Sequence, residues 1–293
     1  MKKNLSKAAR LRRLIKEGVV ILPGAFNAAT ALLVEQCGFH AVYISGAGLA
    51  SGVAGLPDIG LLSMTEVAYQ AAYIARAVKI PAIVDGETGF GEPLQVIRTV
   101  NAFEQAGLAG AHFEDQVMPK RCGHLAGKQL VSPEEMAEKI QAAVQARSDP
   151  DFLIIARTDA RGVNGLKDAI QRGQCYAEAG ADVIFPEALE SIQEFEEFAK
   201  KVKVPLMANM TEFGRTPYLT VKQFGALGYR MVLFPMTAFR VMMKAVQQAL
   251  LELKKAGTQK SLLSRMQTRR ELYELVRYDQ YPLEHPKTKK SVK

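Results

Sequence analysis

Eight short apolar runs, each followed by a stretch of helical period, set the pattern of this 293-residue chain. The runs fall at 19–22, 41–44, 82–84, 111–113, 152–155, 183–185, 205–207 and 231–234, and they are mostly Val, Ile, Leu, Ala, Phe and Met. A strand that is apolar on both faces has to be covered on both, as in a parallel sheet flanked by helices. Good helix formers fill the intervals at 28–37, 65–78, 93–106, 133–147, 165–179, 190–201, 220–226 and 237–256. Eight such alternations predict a (β/α)8 TIM barrel of α/β class. A doubly wound open sheet shares the alternation, but no G-x-G-x-x-G follows the first run.

An internal repeat supports the barrel. Gln36-Cys37-Gly38, Gln105-Ala106-Gly107, Glu178-Ala179-Gly180 and Ala226-Leu227-Gly228 each end a helix on a glycine that leads into a strand. Glycine suits the left-handed position that follows a helix C-terminus. Lys79-Ile80-Pro81 and Lys203-Val204-Pro205 open two strands with proline, where no ladder donor is needed. A last helix is expected at 261–277. The chain therefore reads as one barrel domain, 1–293, with a basic N-terminal helix at 1–17 and a C-terminal helix and basic tail at 261–293.

Composition limits the function classes. With 48% hydrophobic and 23% charged residues the chain is an ordinary globular one, neither disordered nor fibrous. Three well-separated cysteines, an odd number, suggest reduced thiols in a cytoplasmic protein. The longest uncharged stretches, 18–34 and 41–57, are broken by Gly, Pro, Asn or Ser, so no membrane span is expected, and no secretory leader is visible. The net charge of +8 is concentrated at the ends: residues 1–20 hold seven Lys/Arg against one Glu, and residues 281–293 four Lys against one Glu. The body between them is close to neutral, so the ends read as solvated tails and no nucleic-acid partner is expected. The reading from a different class is a non-catalytic barrel whose basic ends bind nucleic acid or an acidic surface.

In a barrel the chemistry belongs at the C-terminal ends of the strands. There stand Ser45-Gly46-Ala47, Asp85-Gly86-Glu87, Glu114-Asp115, Arg157-Thr158-Asp159, Pro186-Glu187 and Asn209-Met210-Thr211, with Arg240 a little past the eighth run. Asp85 and Glu87 are two apart and can face one way, offering hard oxygen ligands to Mg2+; as an isolated pair they could instead cap the helix near Pro93. Glu114, Asp115 and loop residue Asp58 could reach the same ion directly or through water. Arg157, Arg240 and Arg269 point to an anionic partner, or singly to surface ion pairs. Lys120-Arg121-Cys122-Gly123-His124 lies in a long loop after the fourth run, a length typical of lids. Two cations before Cys122 and a histidine after it predict a thiol lowered toward neutrality and usable as an acid or base. Cys37 and Cys175 are expected to be core thiols, His40 and His112 packed, and His285 part of the tail.

Lys120-Arg121-Cys122-Gly123-His124 resembles the active-site loop of the isocitrate lyase/phosphoenolpyruvate mutase superfamily. The resemblance runs through Pro23-Gly24-Ala25, Tyr43-Ile44-Ser45-Gly46, 55–60, 88–91, Glu114-Asp115-Gln116, 156–160, Phe185-Pro186-Glu187, 208–214 and Met266-Gln267-Thr268-Arg269, nearly the whole chain. It implies cleavage of a small tricarboxylate, 2-methylisocitrate, to pyruvate and succinate in propionate degradation (the methylcitrate cycle), with Mg2+. It also implies a homotetramer of barrels that exchange the eighth helix. Carried over by motif, Asp85 and Glu87 hold the metal, and Asp58 and Glu114 stand behind it or serve as base. Ser45, Gly46 and Ala47 bind the pyruvyl half. Cys122 is the general acid/base on the lid and meets substrate with Gly123, while Arg157, Glu187, Asn209, Met210, Thr211, Arg240 and Arg269 complete the substrate shell. Glu87 stands where the family usually has Asp; one methylene longer, it reaches the ion through water or draws it aside. Ala47 stands where the family usually has another small residue. Isocitrate and dimethylmalate are the alternative substrates. The large insertions of isocitrate lyases are absent from this chain, and Phe185 stands near where they place a bulkier Trp.

Overall fold

The computed structural model describes residues 5–281 and divides the chain into two compact units, the first ending at Met242 and the second beginning at Met243. The first unit is the predicted barrel. Its strands are β1 (Val20–Ala25), β2 (Val42–Ile44), β3 (Ala82–Asp85), β4 (Gly110–Glu114), β5 (Leu153–Thr158), β6 (Val183–Pro186), β7 (Met207–Asn209) and β8 (Met231–Phe234). They lie parallel in the order β6-β5-β4-β3-β2-β1-β8-β7, and a parallel bridge from Ile184 to Leu206 joins the two ends of that row.

The helices are α1 (Lys7–Glu17), α2 (Ala28–Gln36), α3 (Gly46–Leu49), α4 (Met64–Ala77), α5 (Pro93–Gln105), α6 (Pro133–Ala146), α7 (Leu166–Glu178), α8 (Ile192–Lys201), α9 (Val221–Ala226) and α10 (Thr237–Ala256). Each of the eight helices predicted after a strand matches an observed one to within two residues at both ends, while the N-terminal helix expected at 1–17 begins only at Lys7 among the described residues. Local chemistry sets the ends. Ser63, Ser132 and Thr220 form capping boxes with Glu66, Glu135 and Gln223. Gly38, Gly107, Gly180 and Gly228 all take the left-handed conformation the repeat required, with φ between 85° and 103°. The turn of α3, continued by a π-helical stretch over Ala50–Ala54, was not foreseen, because its glycine-rich sequence carries no amphipathic period.

Alternation along the strands explains what faces the barrel axis. Val20, Leu22, Tyr43, Ile83, Leu153, Ile155, Val183, Phe185, Met207, Met231 and Leu233 form the inner cluster, and α1 joins it through Ala8, Leu11 and Ile15. Side chains two apart on a strand share a face. The residues after Ile83, His112, Ile155, Phe185 and Met207 on that face are Asp85, Glu114, Arg157, Glu187 and Asn209. Geometry thus carries a charged set to the C-terminal mouth of an otherwise apolar interior. The outer faces of the strands pack in a second cluster against the helices, including Ile44, Val84, Ile154, Ala208 and Val232.

The basic N-terminal helix is part of the barrel over its described residues, not a free arm. Arg12 donates from Nε to the Asp151 carbonyl (2.8 Å) and pairs with Asp182 (2.8 Å), and Lys7 donates to the Val78 carbonyl (2.8 Å). Residues 1–4 and the basic tail with His285 lie outside the described residues. No described helix is long and apolar enough to cross a membrane.

In the second unit the expected helix 261–277 is broken. A 3-10 segment, Lys260–Arg265, is followed by extended Met266 and then by α11 (Arg269–Leu275), which Thr268 caps in a box with Glu271. Thr268 competes for its own backbone and restarts the helix. Cys37 departs from expectation, being exposed at the end of α2, whereas Cys175 is half-buried and packs against the outer core.

Candidate active site

At the C-terminal mouth of the barrel lies a cavity of about 230 Å3. Of the expected residues, Ser45, Ala47, Asp58, Asp85, Cys122, Gly123, Arg157, Glu187, Asn209, Thr211 and Arg240 line it. Tyr43 and Met236 line it as well and were not singled out individually from the sequence; Lys120 and His124 of the lid motif and Phe185 line it too.

The floor is acidic. Asp85 accepts a hydrogen bond from the Tyr43 hydroxyl (3.2 Å) and one from the Glu87 N–H (3.0 Å). Burial opposes its charge, yet His112, Lys120 and Arg157 around it and that N–H hold its carboxyl at about 2. Glu87 sits at φ 51°, a left-handed conformation rare outside glycine and a local strain. Burial first, then the neighbouring Asp85, push its carboxyl up to about 7. A Cβ on Gly46 would stand 2.6 Å from Glu87 Oε1 and 2.8 Å from Asp85 Oδ2, so only glycine lets the backbone come this close. Lys120 bridges the cluster, 2.8 Å from Glu87 Oε2 and paired with Asp58. Although burial works against its charge, Glu114, Glu87, Asp85 and Asp58 raise its pKa well above the ordinary value. The sequence pointed to Lys120 as a cation acting on Cys122; its ion pairs are instead with Asp58 and Glu87.

Glu114 is fully buried and neither of its oxygens has a hydrogen bond; Arg157 Nε stands 3.4 Å off. Burial, the largest influence on it, raises its pKa well above that of an ordinary carboxyl. His112, expected to be merely packed, lies beneath Asp85, with Nε2 2.8 Å from the Tyr43 oxygen. Burial lowers it to about 4, so it is neutral near pH 7 and fixes Tyr43. Asp115 does not turn to this floor. It binds Arg172 (3.2 Å), Tyr176 (2.8 Å) and the Asp159 N–H (2.9 Å) behind the strand ends. Nor do Asp85 and Glu87 cap α5, where Glu92 and Gln95 form the box.

The wall opposite is cationic. Arg157 donates a fork to Asp159 (2.9 and 3.1 Å), approaches Glu187 (3.3 Å) and lies 5.3 Å from the Phe185 ring centre. Glu187 accepts from Asn209 Nδ2 (3.1 Å) and faces His124 Nε2 at 2.9 Å. Burial opposes its charge, but Arg157 and His124 hold its carboxyl well below the ordinary range. Asn209 Oδ1 is buried without a partner. Arg240 pairs with Glu212 (3.5 Å) and lies over the Phe213 ring (5.6 Å). Met210 does not line the cavity; it packs in the outer core, its sulfur accepting from the Leu219 N–H (3.4 Å). Arg269 is the first residue of α11 in the second unit and is exposed.

The loop between β4 and α6 covers the mouth. A bridge from Gln116 to Leu130 closes its base, and Gln116 clasps the Arg121 backbone with both ends of its amide (2.8 and 2.9 Å). At its tip a Cβ on Gly123 would collide with Glu187 and come within 2.5 Å of Arg157 Nη2. His124 Nδ1 accepts from the Arg215 N–H (3.0 Å), which ties the lid to the β7–α9 loop and leaves Nε2 facing Glu187 Oε1 at 2.9 Å. Cys122 is half-buried. Burial raises its thiol above the ordinary value, against a hydrogen bond from the His124 N–H and the charge of Arg157. This corrects the expectation of a thiol near neutrality: its flanking cations Lys120 and Arg121 are not among the largest influences on it, and desolvation prevails.

The acidic floor suits a hard divalent cation. Among the described residues no three or more His, Cys, Asp or Glu side chains converge to cage an ion. A carboxylate such as Asp85, with the unpartnered Glu114 close by, suits an ion that keeps waters and takes substrate oxygens, the habit of Mg2+.

Residues 11–254 match the family described as phosphoenolpyruvate phosphomutase. The chain is 55% identical over 272 residues to a 2-methylisocitrate lyase of Aeropyrum pernix, covering 92% of this chain and 87% of that protein. It is 46% identical over 269 residues to a 2-methylisocitrate lyase of Escherichia coli, covering 92% and 91%. Among solved structures it is similar to 2,3-dimethylmalate lyase, a PEP mutase/isocitrate lyase superfamily member, with a TM-score of 0.89 at 33% identity over 94% of this chain and 93% of that one. It is also similar to phosphonopyruvate hydrolase in complex with oxalate and Mg2+, with a TM-score of 0.85 at 32% identity over 94% and 96%.

Proposed function

The chain belongs to the phosphoenolpyruvate mutase/isocitrate lyase family, and from that premise we propose that it is a Mg2+-dependent lyase cleaving 2-methylisocitrate to pyruvate and succinate. The observation that carries this reading is the placement of Cys122 on the β4–α6 loop at a cavity with a carboxylate floor and an Arg157 wall. A lyase of this kind breaks the bond between a carbinol carbon and a carbon that takes the electron pair. It therefore needs a proton acceptor at the hydroxyl, cations for the carboxylates and a proton donor at the new carbanion.

The residues divide these tasks. Ser45, Gly46 and Ala47 receive the pyruvyl half beside Asp85. Asp85, with Glu87 and Glu114 around it, would hold Mg2+, which would supply Lewis acidity at the substrate hydroxyl. A carboxylate of the floor, from the set Asp58, Glu87 and Glu114, takes the hydroxyl proton. Arg157, Asn209, Thr211 and Arg240 hold the carboxylates of the succinyl half, and Glu187 orients Arg157, Asn209 and His124. As the carbon–carbon bond breaks, its electrons pass to the succinyl carbon. Cys122 gives its Sγ proton to that carbon, for which a raised pKa is the useful direction, since the thiol stays protonated until needed. The closed lid keeps water from the carbanion.

The same reading places the enzyme in propionate breakdown in the cytoplasm, where three free cysteines remain reduced. It makes the barrel and its C-terminal extension one functional domain in a homotetramer exchanging α10. In support, α10 carries Val241, Met243, Val246, Leu250 and Leu251, and none of its residues is buried. The dimethylmalate lyase likeness keeps dimethylmalate as a second substrate to try. The test is an assay of purified protein with Mg2+ on methylisocitrate, isocitrate and dimethylmalate, with lactate dehydrogenase detecting pyruvate and a hydrazone trap detecting glyoxylate. Pyruvate from methylisocitrate, lost with EDTA, is expected. Glyoxylate from isocitrate alone would refute the substrate assignment.

A further inference from the structure

Asp159 follows β5, two residues past Arg157, and its side chain is 0% exposed. Its carboxylate takes one edge of the Arg157 guanidinium: Nε donates to Oδ2 (2.9 Å) and Nη2 to Oδ1 (3.1 Å). Asp159 is itself fixed from two sides. Lys128 Nζ donates to Oδ1 (2.8 Å) from the lid. The Asp159 N–H donates to Asp115 Oδ1 (2.9 Å), and Arg172 and Tyr176 of α7 hold the other oxygen of Asp115. Two cations thus satisfy a carboxylate that would otherwise be costly to bury.

A guanidinium is planar, and a carboxylate can take two of its N–H groups at once from either of two edges, Nε with Nη2 or Nη1 with Nη2. With Asp159 on the first edge, the second is the one left for an anion in the cavity. Two other carboxylates compete for the same cation: Glu114 stands 3.4 Å from Nε and Glu187 3.3 Å from Nη1. Without the Asp159 fork the guanidinium would turn toward one of them and carry its second edge out of line. We propose that Asp159 is a positioning residue for substrate recognition. By holding the Nε–Nη2 edge it keeps the Nη1–Nη2 edge of Arg157 turned to a carboxylate of the succinyl half; this rests on the reading of Arg157 as the group that holds that carboxylate.

The test needs no turnover. The Kd of succinate is measured by isothermal titration on the full-length protein, with Mg2+ and oxalate present to fill the pyruvyl place without reacting. The measurement is made as a double-mutant cycle of Asp159→Asn and Arg157→Lys. Asparagine keeps the side-chain shape but removes the anion, and lysine has no edges to orient. Asp159→Asn is expected to weaken succinate about tenfold when Arg157 is present, the loss of one well-directed hydrogen bond to a charged group. In the Arg157→Lys background the same change is expected to cost less than about twofold. A lid loosened through Lys128, or a generally disturbed fold, weakens succinate by the same factor in both backgrounds, so equal factors would overturn the proposal. A second measurement covers an Asp159→Asn that fails to fold. In the parent protein, solvent exchange of the Arg157 Nε–H is followed by nitrogen-15 NMR, the signal being assigned by its loss in Arg157→Lys. It is expected to be slow before succinate is added and little changed afterwards. An Nε–H that exchanges quickly until succinate arrives would show that the ligand, and not Asp159, holds that edge. Succinate that binds the parent and Arg157→Lys equally is a separate failure, seen before Asp159 is touched, and it sinks the role of Arg157; succinate that fails to bind the parent sinks the lyase reading itself.

Discussion

Gly123→Ala tests how tightly the lid must seat. An added Cβ would lie 2.5 Å from Arg157 Nη2 and against Glu187, where an unstrained carbon–nitrogen contact needs about 3.5 Å. Arg157 cannot give way, because its fork is fixed by Asp159 at 2.9 and 3.1 Å and it faces Glu187 at 3.3 Å. The tip must therefore lift by about 1 Å and carry Cys122 with it. A displacement of that size between reacting groups costs on the order of 100-fold in rate. Steady-state kinetics on methylisocitrate are expected to show kcat down by about that factor, and hydrogen exchange to show faster labelling of 117–130. The thermal midpoint is expected to stay close to that of the parent, because the change falls in a surface loop. A variant within about threefold of the parent kcat, with parent-like exchange, would refute the claim that the lid seats against Arg157.

Cys122→Ser is expected to keep substrate binding while losing at least about 100-fold in turnover, measured by isothermal titration beside the coupled assay. Because burial raises the thiol and an acid must be protonated, kcat is expected to hold through neutrality and fall only as pH rises past the ordinary cysteine value, near 9; an alkaline limb near 7 would contradict this. Asp85→Asn is expected to abolish the calorimetric signal of Mg2+ binding, and EDTA to stop parent turnover until Mg2+ is restored. Lys120→Met removes the cation that pairs with Asp58 and Glu87 at a site 4% exposed, and is expected to cost about 3–5 kcal/mol in urea unfolding with EDTA present; a loss below about 1 kcal/mol would show those carboxylates do not depend on it.

Much of the fold was legible because it follows from simple periods. Apolar runs placed the eight strands, and the glycines at 38, 107, 180 and 228 marked helix ends by a conformational need that other residues meet poorly. The same-face step from Ile83 to Asp85, Ile155 to Arg157 and Phe185 to Glu187 explains why charges at strand ends met in one cavity. What was hidden depends on pairings between distant parts of the chain. The Lys128–Asp159 contact spans 31 residues and leaves no local trace. Lys120 could be seen as a cation near Cys122, but not as the counter-ion of Asp58 and Glu87, until the loop was folded back over them. The Cys122 thiol went the other way from expectation because desolvation is a property of the closed lid and not of its sequence. Met210 shows the limit of position alone, since its neighbours Asn209 and Thr211 face the cavity while it faces the outer core.

The apolar stopper that α1 pushes into the barrel, through Leu11 and Ile15, has a kinetic consequence. With that end filled, traffic uses the mouth beneath the lid. Two fragments made in one step then share a single doorway and leave in a queue. On the proposed reading, the half beside Cys122 would stand nearest the door, and the half against Asp85 would wait behind it. Product inhibition should follow that order: the last fragment out competes with substrate for the empty enzyme, while the first one out does not.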